Sequence, residues 1–375
     1  MKLIVKTMHG LEDVLAEELK QLGAQQITPM RRGVSCEGDL KLMYQINLWC
    51  RTALRVMMPV HTFTATTEAE VYEATLKYEW HTILDNDKTF AIDHVVFSNL
   101  FKHTGYLALK TKDAIVDQIR NVTGARPSVN VQDPDVLINL HVANDVVTIS
   151  VDSSGDPLNR RGYRIGVHPS PINEVLAAGM LLKAGWNPSI TLIDPMCGSG
   201  TIVLEAAMMA KNMAPGLRRE KFGFMSWKNF DAKLWQELKE SAKAAVTSPR
   251  VNILGSDVDI RAVDVAKHSS LEFGLNQEIR IQKCAFKDQQ PLTKNGMLVI
   301  NPPYGERLKK EDIVSFYKEM GYYLKRNFPG YEAWIISSNL YAMRLMGLRS
   351  KEKFTLYNGS LECTYNHYVM KEQTV

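Results

Sequence analysis

The sequence predicts an α/β protein whose C-terminal part is a doubly wound parallel sheet, preceded by two smaller α+β units. After residue 171, short apolar segments alternate with helical patterns, which is typical of parallel strands buried on both faces. The first 65 residues instead give the order β-α-β-β-α, which is typical of a small mixed unit. The chain has 375 residues, so two or three domains of roughly 100–200 residues each are expected.

The first predicted unit covers residues 1–65 and the second covers residues 66–156. In the first, residues 10–22 form an amphipathic helix with Gly23 at its C-cap position, because apolar residues recur at helical spacing. A hairpin over 27–37 and a helix over 39–48 complete this unit. The second unit is predicted from a helix at 68–80, a strand at 89–97, a helix at 103–121 and a hairpin formed by 135–143 and 145–152.

A segment rich in Gly, Pro and Arg, residues 157–171, reads as a linker into the C-terminal domain, residues 172–375. The strands predicted in that domain are Ile190–Ile193, Val251–Ser256, Ile279–Lys283, Met297–Ile300 and Glu332–Ser337. Because helical patterns separate these strands, they are expected to lie parallel in one sheet.

Composition excludes several classes of protein. Hydrophobic residues make up 45% and charged residues 23% of the chain, as in soluble globular proteins. The five cysteines show neither zinc-finger spacing nor a disulfide framework, and no histidine pair has metal-ligand spacing, so no metal is expected. No apolar run resembles a signal peptide or a membrane span. We therefore expect a cytoplasmic protein without a membrane partner.

Net charge is +4, and it is unevenly distributed: residues 1–165 carry −2 and the rest carry +6. A basic C-terminal part is compatible with a polyanionic partner, although an ordinary solvated surface would look the same.

A glycine loop follows the first strand of the C-terminal domain, where open α/β sheets bind ligands. Gly198 and Gly200 allow close approach of a ligand to the backbone, and the helix beginning near Thr201 offers free N–H groups to a carboxylate. Asp194 is placed to accept hydrogen bonds from an ammonium group. The third glycine of a dinucleotide-binding loop is missing, so a zwitterionic amino-acid tail fits better than a pyrophosphate. The predicted loop residues are Asp194, Pro195, Met196, Cys197, Gly198, Ser199, Gly200 and Thr201.

The second strand of this domain ends in the acidic residues Asp257 and Asp259. An acid in this position can hold two ribose hydroxyls, and we assign that role to Asp257 with Asp259 in reserve. The alternative for such a residue is an ordinary helix cap.

The most specific motif follows the fourth strand and reads Asn301-Pro302-Pro303-Tyr304. An aryl amine is a poor nucleophile because its lone pair is delocalised into the ring. Two hydrogen-bond acceptors that face its two N–H protons can draw that lone pair out, and the Asn301 side chain and the Pro302 backbone carbonyl provide them. The two prolines fix the backbone, and Tyr304 can stack on an extruded base. The alternative is a rigid turn.

Candidate substrate contacts lie in two basic segments. Basic and aromatic residues alternate over 216–228, which suits RNA binding, although the aromatics could equally fill core. The linker arginines have the alternative of being solvated charges. The predicted RNA contacts from these segments are Arg160, Arg161, Arg218, Arg219 and Lys221. A separate aromatic stripe over 312–327 is predicted to be core, as is Cys363, so no nucleophilic cysteine is expected.

Together, the segments 194–201 and 301–307 make the chain resemble the bacterial THUMP-domain RNA methyltransferases. Within these, it is similar to the enzymes that methylate guanine N2 in large-subunit ribosomal RNA. The resemblance extends over nearly the whole chain, because segments 112–117 and 152–155 look like THUMP segments, and 159–164 is similar to the usual link into the catalytic domain. The Asn301 motif alone is shared with DNA adenine methyltransferases, so the THUMP segments carry the indication of RNA.

This resemblance implies a Rossmann-like class I methyltransferase domain after ferredoxin-like and THUMP domains, with S-adenosylmethionine (SAM) as cofactor. By position, Ala285 and Phe286 would lie near the adenine, Asn301 would also border the cofactor, and Lys112 would contact RNA. The chain departs from the family at Cys284, where an acid often reads the adenine amino group. Ribosomal RNA, or a ribosome assembly intermediate, would be the partner.

Three functions remain open at this stage. The first is methylation of guanine N2, and the second is methylation of adenine N6 in RNA or DNA, which would use the same acceptor geometry. The third is an RNA-binding module with a vestigial methyltransferase fold, which would neither bind SAM nor depend on Asn301.

Overall fold

A computed structural model describes residues 1–164, 172–303 and 310–371 of the chain. These residues form two compact units. The first unit contains residues 1–6, 16–160 and 218–240, and the second contains residues 7–15, 161–217 and 241 onwards. No helix in the described ranges is long and apolar enough to cross a membrane.

The first unit is built on a mixed sheet with helices. Its elements, with the helix α1 that begins in the second unit, are β1 (Lys2–Lys6), α1 (Glu12–Gln21), β2 (Gln25–Met30), β3 (Gly33–Glu37), α2 (Leu40–Trp49), β4 (Arg55–Thr64), α3 (Glu68–Leu76), β5 (Thr89–Phe97), α4 (Thr104–Thr123), β6 (Ser128–Val129), β7 (Val136–Ala143) and β8 (Val146–Asp152). The predicted elements are present, but α3 ends at Leu76 rather than at residue 80.

One eight-stranded sheet, in the order β2-β3-β1-β4-β8-β7-β5-β6, runs through both predicted N-terminal units. The long strand β4 joins them, because its first residues pair with β1 and its later residues pair with β8. The β-α-β-β-α order in the sequence therefore predicts the elements correctly, but it does not predict that one sheet continues through both units.

The aromatic side chains of the 216–228 segment fill core in the first unit. Phe222 and Phe224 are fully buried, and the ring of Phe224 lies 4.3 Å from that of Tyr44 and 5.1 Å from that of Trp235. Trp227 is 5% exposed. Of the two alternatives left open for these aromatics, stacking on RNA bases and filling core, the burial of these three residues supports the second.

Phe224→Ala should lower the free energy of unfolding of the first unit by about 3–5 kcal/mol, because it removes a buried ring from an aromatic cluster that cannot collapse onto the gap. Chemical denaturation monitored by tryptophan fluorescence would measure it. Lys221→Ala, at an exposed ion pair with Asp133, is the matched control and should change stability by less than about 0.5 kcal/mol. Equal effects of the two substitutions would contradict the packing described here.

The second unit is an α/β sheet domain. Its elements, with the helix α7 that begins in the first unit, are α5 (Glu174–Lys183), β9 (Leu192–Asp194), α6 (Thr201–Ala210), α7 (Ala232–Ala244), β10 (Ile253–Asp257), α8 (Ile260–Glu272), β11 (Ile279–Lys283), β12 (Gly296–Ile300), α9 (Lys310–Asn327), β13 (Tyr331–Ser337), α10 (Leu340–Leu345), β14 (Glu352–Asn358) and β15 (Leu361–Val369). The strand order is β11-β10-β9-β12-β13-β15-β14.

Five neighbouring strands of this sheet are parallel to one another, in the order β11, β10, β9, β12 and β13. The strand β15 is antiparallel to both of its neighbours. All five residues of β12 are buried, as expected for a central parallel strand covered on both faces. The order reverses at β9, because β10 and β11 lie on one side of it and β12 and β13 lie on the other. Such a reversal opens a crevice at the carboxyl edge of the sheet, and this positions the candidate site.

Candidate active site

The glycine loop leaves β9 at Asp194 and enters α6 at Thr201. Three hydrogen bonds donated by backbone N–H groups shape it: Cys197 N–H donates to the Ser256 carbonyl at 2.9 Å, Gly200 N–H donates to the Cys197 carbonyl at 2.8 Å, and Gly198 N–H donates to the Asp257 carboxylate at 2.9 Å. The predicted loop is therefore tied directly to the end of β10.

Gly200 is the one glycine of this loop at which a side chain is excluded for two separate reasons. Its φ of +85° lies in the left-handed region, and a Cβ there would approach the Ala266 Cβ to 3.0 Å. This tight turn lets α6 start with its first N–H groups directed toward the loop, as the sequence predicts.

Asp257 and Asp259 have different roles. Asp257 accepts from Gly198 N–H through one oxygen and from Asp259 N–H through the other, at 2.9 Å each. A carboxylate has about four acceptor sites, so capacity remains for two hydroxyls. Asp259 caps α8 by accepting from Arg261 N–H at 3.0 Å and also pairs with the Arg261 guanidinium at 3.3 Å. The helix-cap alternative thus applies to Asp259, which favours Asp257 as the ribose ligand.

Asp194 is 1% exposed, and its carboxylate accepts one backbone hydrogen bond, from Met196 N–H at 3.2 Å. Burial, with a smaller contribution from the negative charge of Asp257, raises the pKa of Asp194 to about 8. A positive group placed against this carboxyl would favour its ionised form. The site is therefore electrostatically suited to an ammonium group.

A cavity of about 490 Å³ opens at this edge of the sheet. Of the predicted cofactor residues, those that line it are Asp194, Pro195, Met196, Cys197, Gly198, Ser199, Thr201, Asp257, Ala285, Phe286 and Asn301. Pro303 lines it as well, whereas Gly200 and Pro302 do not. The loop, the end of β10, the segment after β11 and the end of β12 thus converge on one space, although the sequence separates them by more than a hundred residues.

Asn301 lies at the end of β12 and borders this cavity. Its Oδ1 atom is buried and has no hydrogen-bond donor within the part of the chain that the structure describes. An unpaired buried acceptor costs free energy unless a ligand satisfies it, so Asn301 is a candidate binding position. Tyr304, predicted to stack on the base, lies outside the described residues.

Sequence reasoning missed the part of the cavity that α9 supplies. Phe316, Glu319 and Tyr323 lie on one face of this helix and line the cavity, and the Tyr323 ring packs edge-on against Phe286 at 6.3 Å. The stripe was predicted to be core, and this is correct for Ile313, Tyr317 and Leu324, which are buried. The i, i+3, i+7 spacing of Phe316, Glu319 and Tyr323 was the signal that could have separated a second face.

Two predicted RNA contacts are buried, which contradicts that prediction. The Arg161 side chain is 1% exposed and donates through Nε to Glu205 at 3.4 Å. Arg219 is 8% exposed, lies over the Phe222 ring, and donates to the backbone carbonyls of Ser154, Asp156, Pro157 and Arg160 at 2.9–3.3 Å. Guanidinium groups with several fixed donors are well suited to hold irregular backbone together, and Arg219 does so here.

The other four predicted RNA contacts are accessible to solvent. Arg160 pairs with Asp156 at 2.9 Å, Lys221 pairs with Asp133 at 2.9 Å, and Lys112 pairs with Asp113 at 2.8 Å. Arg218 is exposed. Exposed pairs of this kind are weak and exchange readily, so they are compatible with RNA binding without indicating it.

Within the described ranges, no group of three or more His, Cys, Asp or Glu side chains could hold a metal ion. The buried Cys363 belongs to β15, as the sequence predicts.

Comparison with protein families gives three matches along the chain. Residues 161–367 match a family described as "RMKL-like, methyltransferase domain", residues 2–57 match the "RlmL ferredoxin-like domain", and residues 65–152 match the "THUMP domain". The three matches together cover most of the chain.

Two curated relatives and one solved structure are similar over almost the whole chain. "Putative RNA methyltransferase slr0064" from Synechocystis sp. is 38% identical over 96% of this chain and 94% of its own length. "Ribosomal RNA large subunit methyltransferase K/L" from Methylococcus capsulatus is 40% identical over 94% of this chain but 49% of its own, so the chain spans about half the length of the K/L relatives. The crystal structure of SMU.472, "a putative methyltransferase complexed with SAH" (S-adenosylhomocysteine), is 28% identical, covers 100% of this chain and 98% of its own, and has a TM-score of 0.91.

Proposed function

Because the chain belongs to the family of THUMP-domain RNA methyltransferases with an RMKL-like catalytic domain, we propose that it transfers a methyl group to the N2 amine of a guanine in 23S ribosomal RNA. That it is a SAM-dependent RNA methyltransferase follows from the family. The choice of base, the choice of ribosomal RNA and the residue roles below are the proposal.

One observation carries the choice of chemistry: Asn301 lines the cofactor cavity, and its buried Oδ1 has no donor among the described residues. An exocyclic amine has two N–H donors in the plane of its base. Asn301 Oδ1 would accept one of them, and the carbonyl of Pro302 would accept the other. With both protons held, the nitrogen lone pair points out of the ring plane toward the cavity.

The residues around the cavity fit SAM. The ammonium of its methionine part would lie against Asp194, its carboxylate near the first N–H groups of α6, and its ribose hydroxyls on Asp257. Ala285 and Phe286 would border the adenine. When bound, SAM supplies a methyl carbon made electrophilic by its sulfonium sulfur.

Asn301 then positions the amine and does not exchange a proton with it. Its amide is neutral over the physiological pH range, so it can hold the amine but cannot act as a base. The lone pair of the amine forms the new N–C bond, the C–S bond breaks toward sulfur, and the amine releases one proton to water. The protein therefore contributes orientation and electrostatic stabilisation more than acid–base catalysis.

The choice of guanine N2 rests on the resemblance to the guanine-N2 enzymes of this family, and two arguments favour ribosomal RNA as the substrate. The K/L relatives are named as ribosomal RNA large subunit methyltransferases and are 36–40% identical to this chain. The chain also carries a THUMP domain, a module that implies RNA binding. Because it spans about half of those relatives, the activity of their whole length is not transferred to it.

The test is product analysis with purified protein. Ribosomal RNA from cells that lack this protein is incubated with SAM and digested to nucleosides, which are identified by mass spectrometry. The proposal predicts N2-methylguanosine. N6-methyladenosine instead would retain the acceptor mechanism and change the base, and absence of any new methylated nucleoside would contradict the proposal.

A further inference from the structure

The cofactor cavity is lined by residues from one part of the sheet edge, Asn301 among them. Its described lining comes from the ends of β9, β10, β11 and β12, from Ile172, and from α6, α8 and α9, and none of it comes from β13 or α10. In the sheet, β13 lies beside β12 on the side away from β9. The helix α10 that follows β13 is therefore a candidate surface for the RNA around a base whose amine is held at Asn301.

The parallel pairing of β12 with β13 places α10 at the same edge of the sheet as Asn301. Ile300, the last residue of β12, pairs with Ile335, two residues before β13 ends at Ser337, and α10 begins at Leu340. The side chain of Asn339 caps this helix by accepting from Ala342 N–H at 2.9 Å, and Ala342 and Met343 are buried beneath it. The helix thus lies at the sheet edge at which Asn301 also lies.

The outer face of α10 is apolar and basic. Leu340 is 54% exposed and Tyr341 is 65% exposed, and these are adjacent large side chains with no cover in the described chain. Arg344, one turn after Tyr341, is exposed as well. An exposed aromatic beside an exposed arginine is the combination that binds unpaired nucleotides, by stacking on a base and contacting a phosphate.

On these grounds we propose that the outer face of α10 binds the unpaired RNA that flanks the target base, with Tyr341 stacking on a neighbouring base and Arg344 contacting the backbone. This inference rests on the proposed function, because it needs a base to be presented to Asn301. RNA is the occupant that the adjacent site and the positive charge of Arg344 favour. The surface would retain an extruded base at the site and would not touch the cofactor.

The experiment measures methylation of ribosomal RNA from cells lacking this protein at graded RNA concentrations, together with SAH affinity by calorimetry. Tyr341→Ala should raise the KM for RNA roughly 10-fold or more, and Tyr341→Phe, which keeps the stacking ring, should remain near the wild type. Arg344→Gln should reduce the slope of log KM against log salt by about 0.7–1. Leu271→Ala, at an equally exposed leucine on α8, is the matched control and should change neither quantity.

SAH affinity should be the same in all variants. A KM for Tyr341→Ala within twofold of the wild type would overturn the inference, and so would an equal loss in Tyr341→Phe or a parallel loss of SAH affinity. Absence of N2-methylguanosine with the wild type would overturn the proposed function itself. Wild-type product with an unchanged Tyr341→Ala KM would overturn only the role of α10.

Discussion

Asn301→Ala is expected to lower turnover about 100- to 1,000-fold, the range seen when one fixed hydrogen-bonding group that acts in the transition state is removed. SAH affinity should stay within a few-fold of the wild type, because the cofactor is held mainly by groups around Asp194 and Asp257. Single-turnover methylation and calorimetry measure the two quantities separately.

Asn301→Asp is the matched variant. It keeps an acceptor oxygen of the same size in place, so it should retain more activity than Asn301→Ala. A parallel collapse of SAH affinity and turnover in Asn301→Ala would mean that Asn301 holds the cofactor and not the base. Equal activity of the alanine variant and the wild type would remove the two-acceptor mechanism.

Asp194→Asn should weaken SAH binding about 10- to 100-fold, because it removes the charge that faces the ammonium while preserving the shape of the side chain. Turnover at saturating SAM should fall much less. Calorimetry across pH 6.5–8.5 gives a second readout, because the pKa of the Asp194 carboxyl is raised to about 8 by burial.

The direction of the pH effect follows from that raised pKa. Below about pH 8 the carboxyl in the free protein is protonated, whereas the ammonium of SAH favours its ionised form, so binding must release a proton. Affinity should therefore rise with pH up to about 8, by at most tenfold per unit, and this dependence should be absent in Asp194→Asn. An identical pH dependence in both proteins would contradict the assignment of Asp194 to the ammonium.

The same raised pKa makes the free energy of unfolding fall with rising pH, whereas the affinity for SAH rises. Between about pH 4 and pH 8 the folded protein keeps a proton that the unfolded chain releases, so stability contributed at this position falls as pH rises. Without cofactor, Asp194→Asn should therefore be more stable than the wild type above pH 8. The cost of burying an unpaired carboxyl is consistent with a residue retained for binding.

The sequence predicts the residues of the cofactor loop and of the Asn301 motif because their chemistry is local. Each motif follows a strand in a parallel sheet, and strand ends meet at one edge whatever their separation in the chain. Most of the predicted cofactor residues, among them Asp194 and Asn301, line one cavity at this edge. Their individual roles remain proposals.

Three other features of the structure depend on tertiary packing, which a single sequence does not reveal. Arg161 and Arg219 looked like surface cations, but each satisfies buried acceptors, and charge alone cannot distinguish the two situations. The stripe on α9 has two faces, one in the core and one at the cavity, and hydrophobic periodicity reports only the first. The two predicted N-terminal units, residues 1–65 and 66–156, share one sheet through β4, and this depends on strand pairing between distant segments.

The most direct test of the central claim is nucleoside mass spectrometry of ribosomal RNA from cells that lack this protein, compared with the parent strain. The account predicts that one N2-methylguanosine signal is lost, that the wild-type protein restores it, and that Asn301→Ala does not. Restoration by Asn301→Ala, or an unchanged N2-methylguanosine signal in cells lacking the protein, would contradict it.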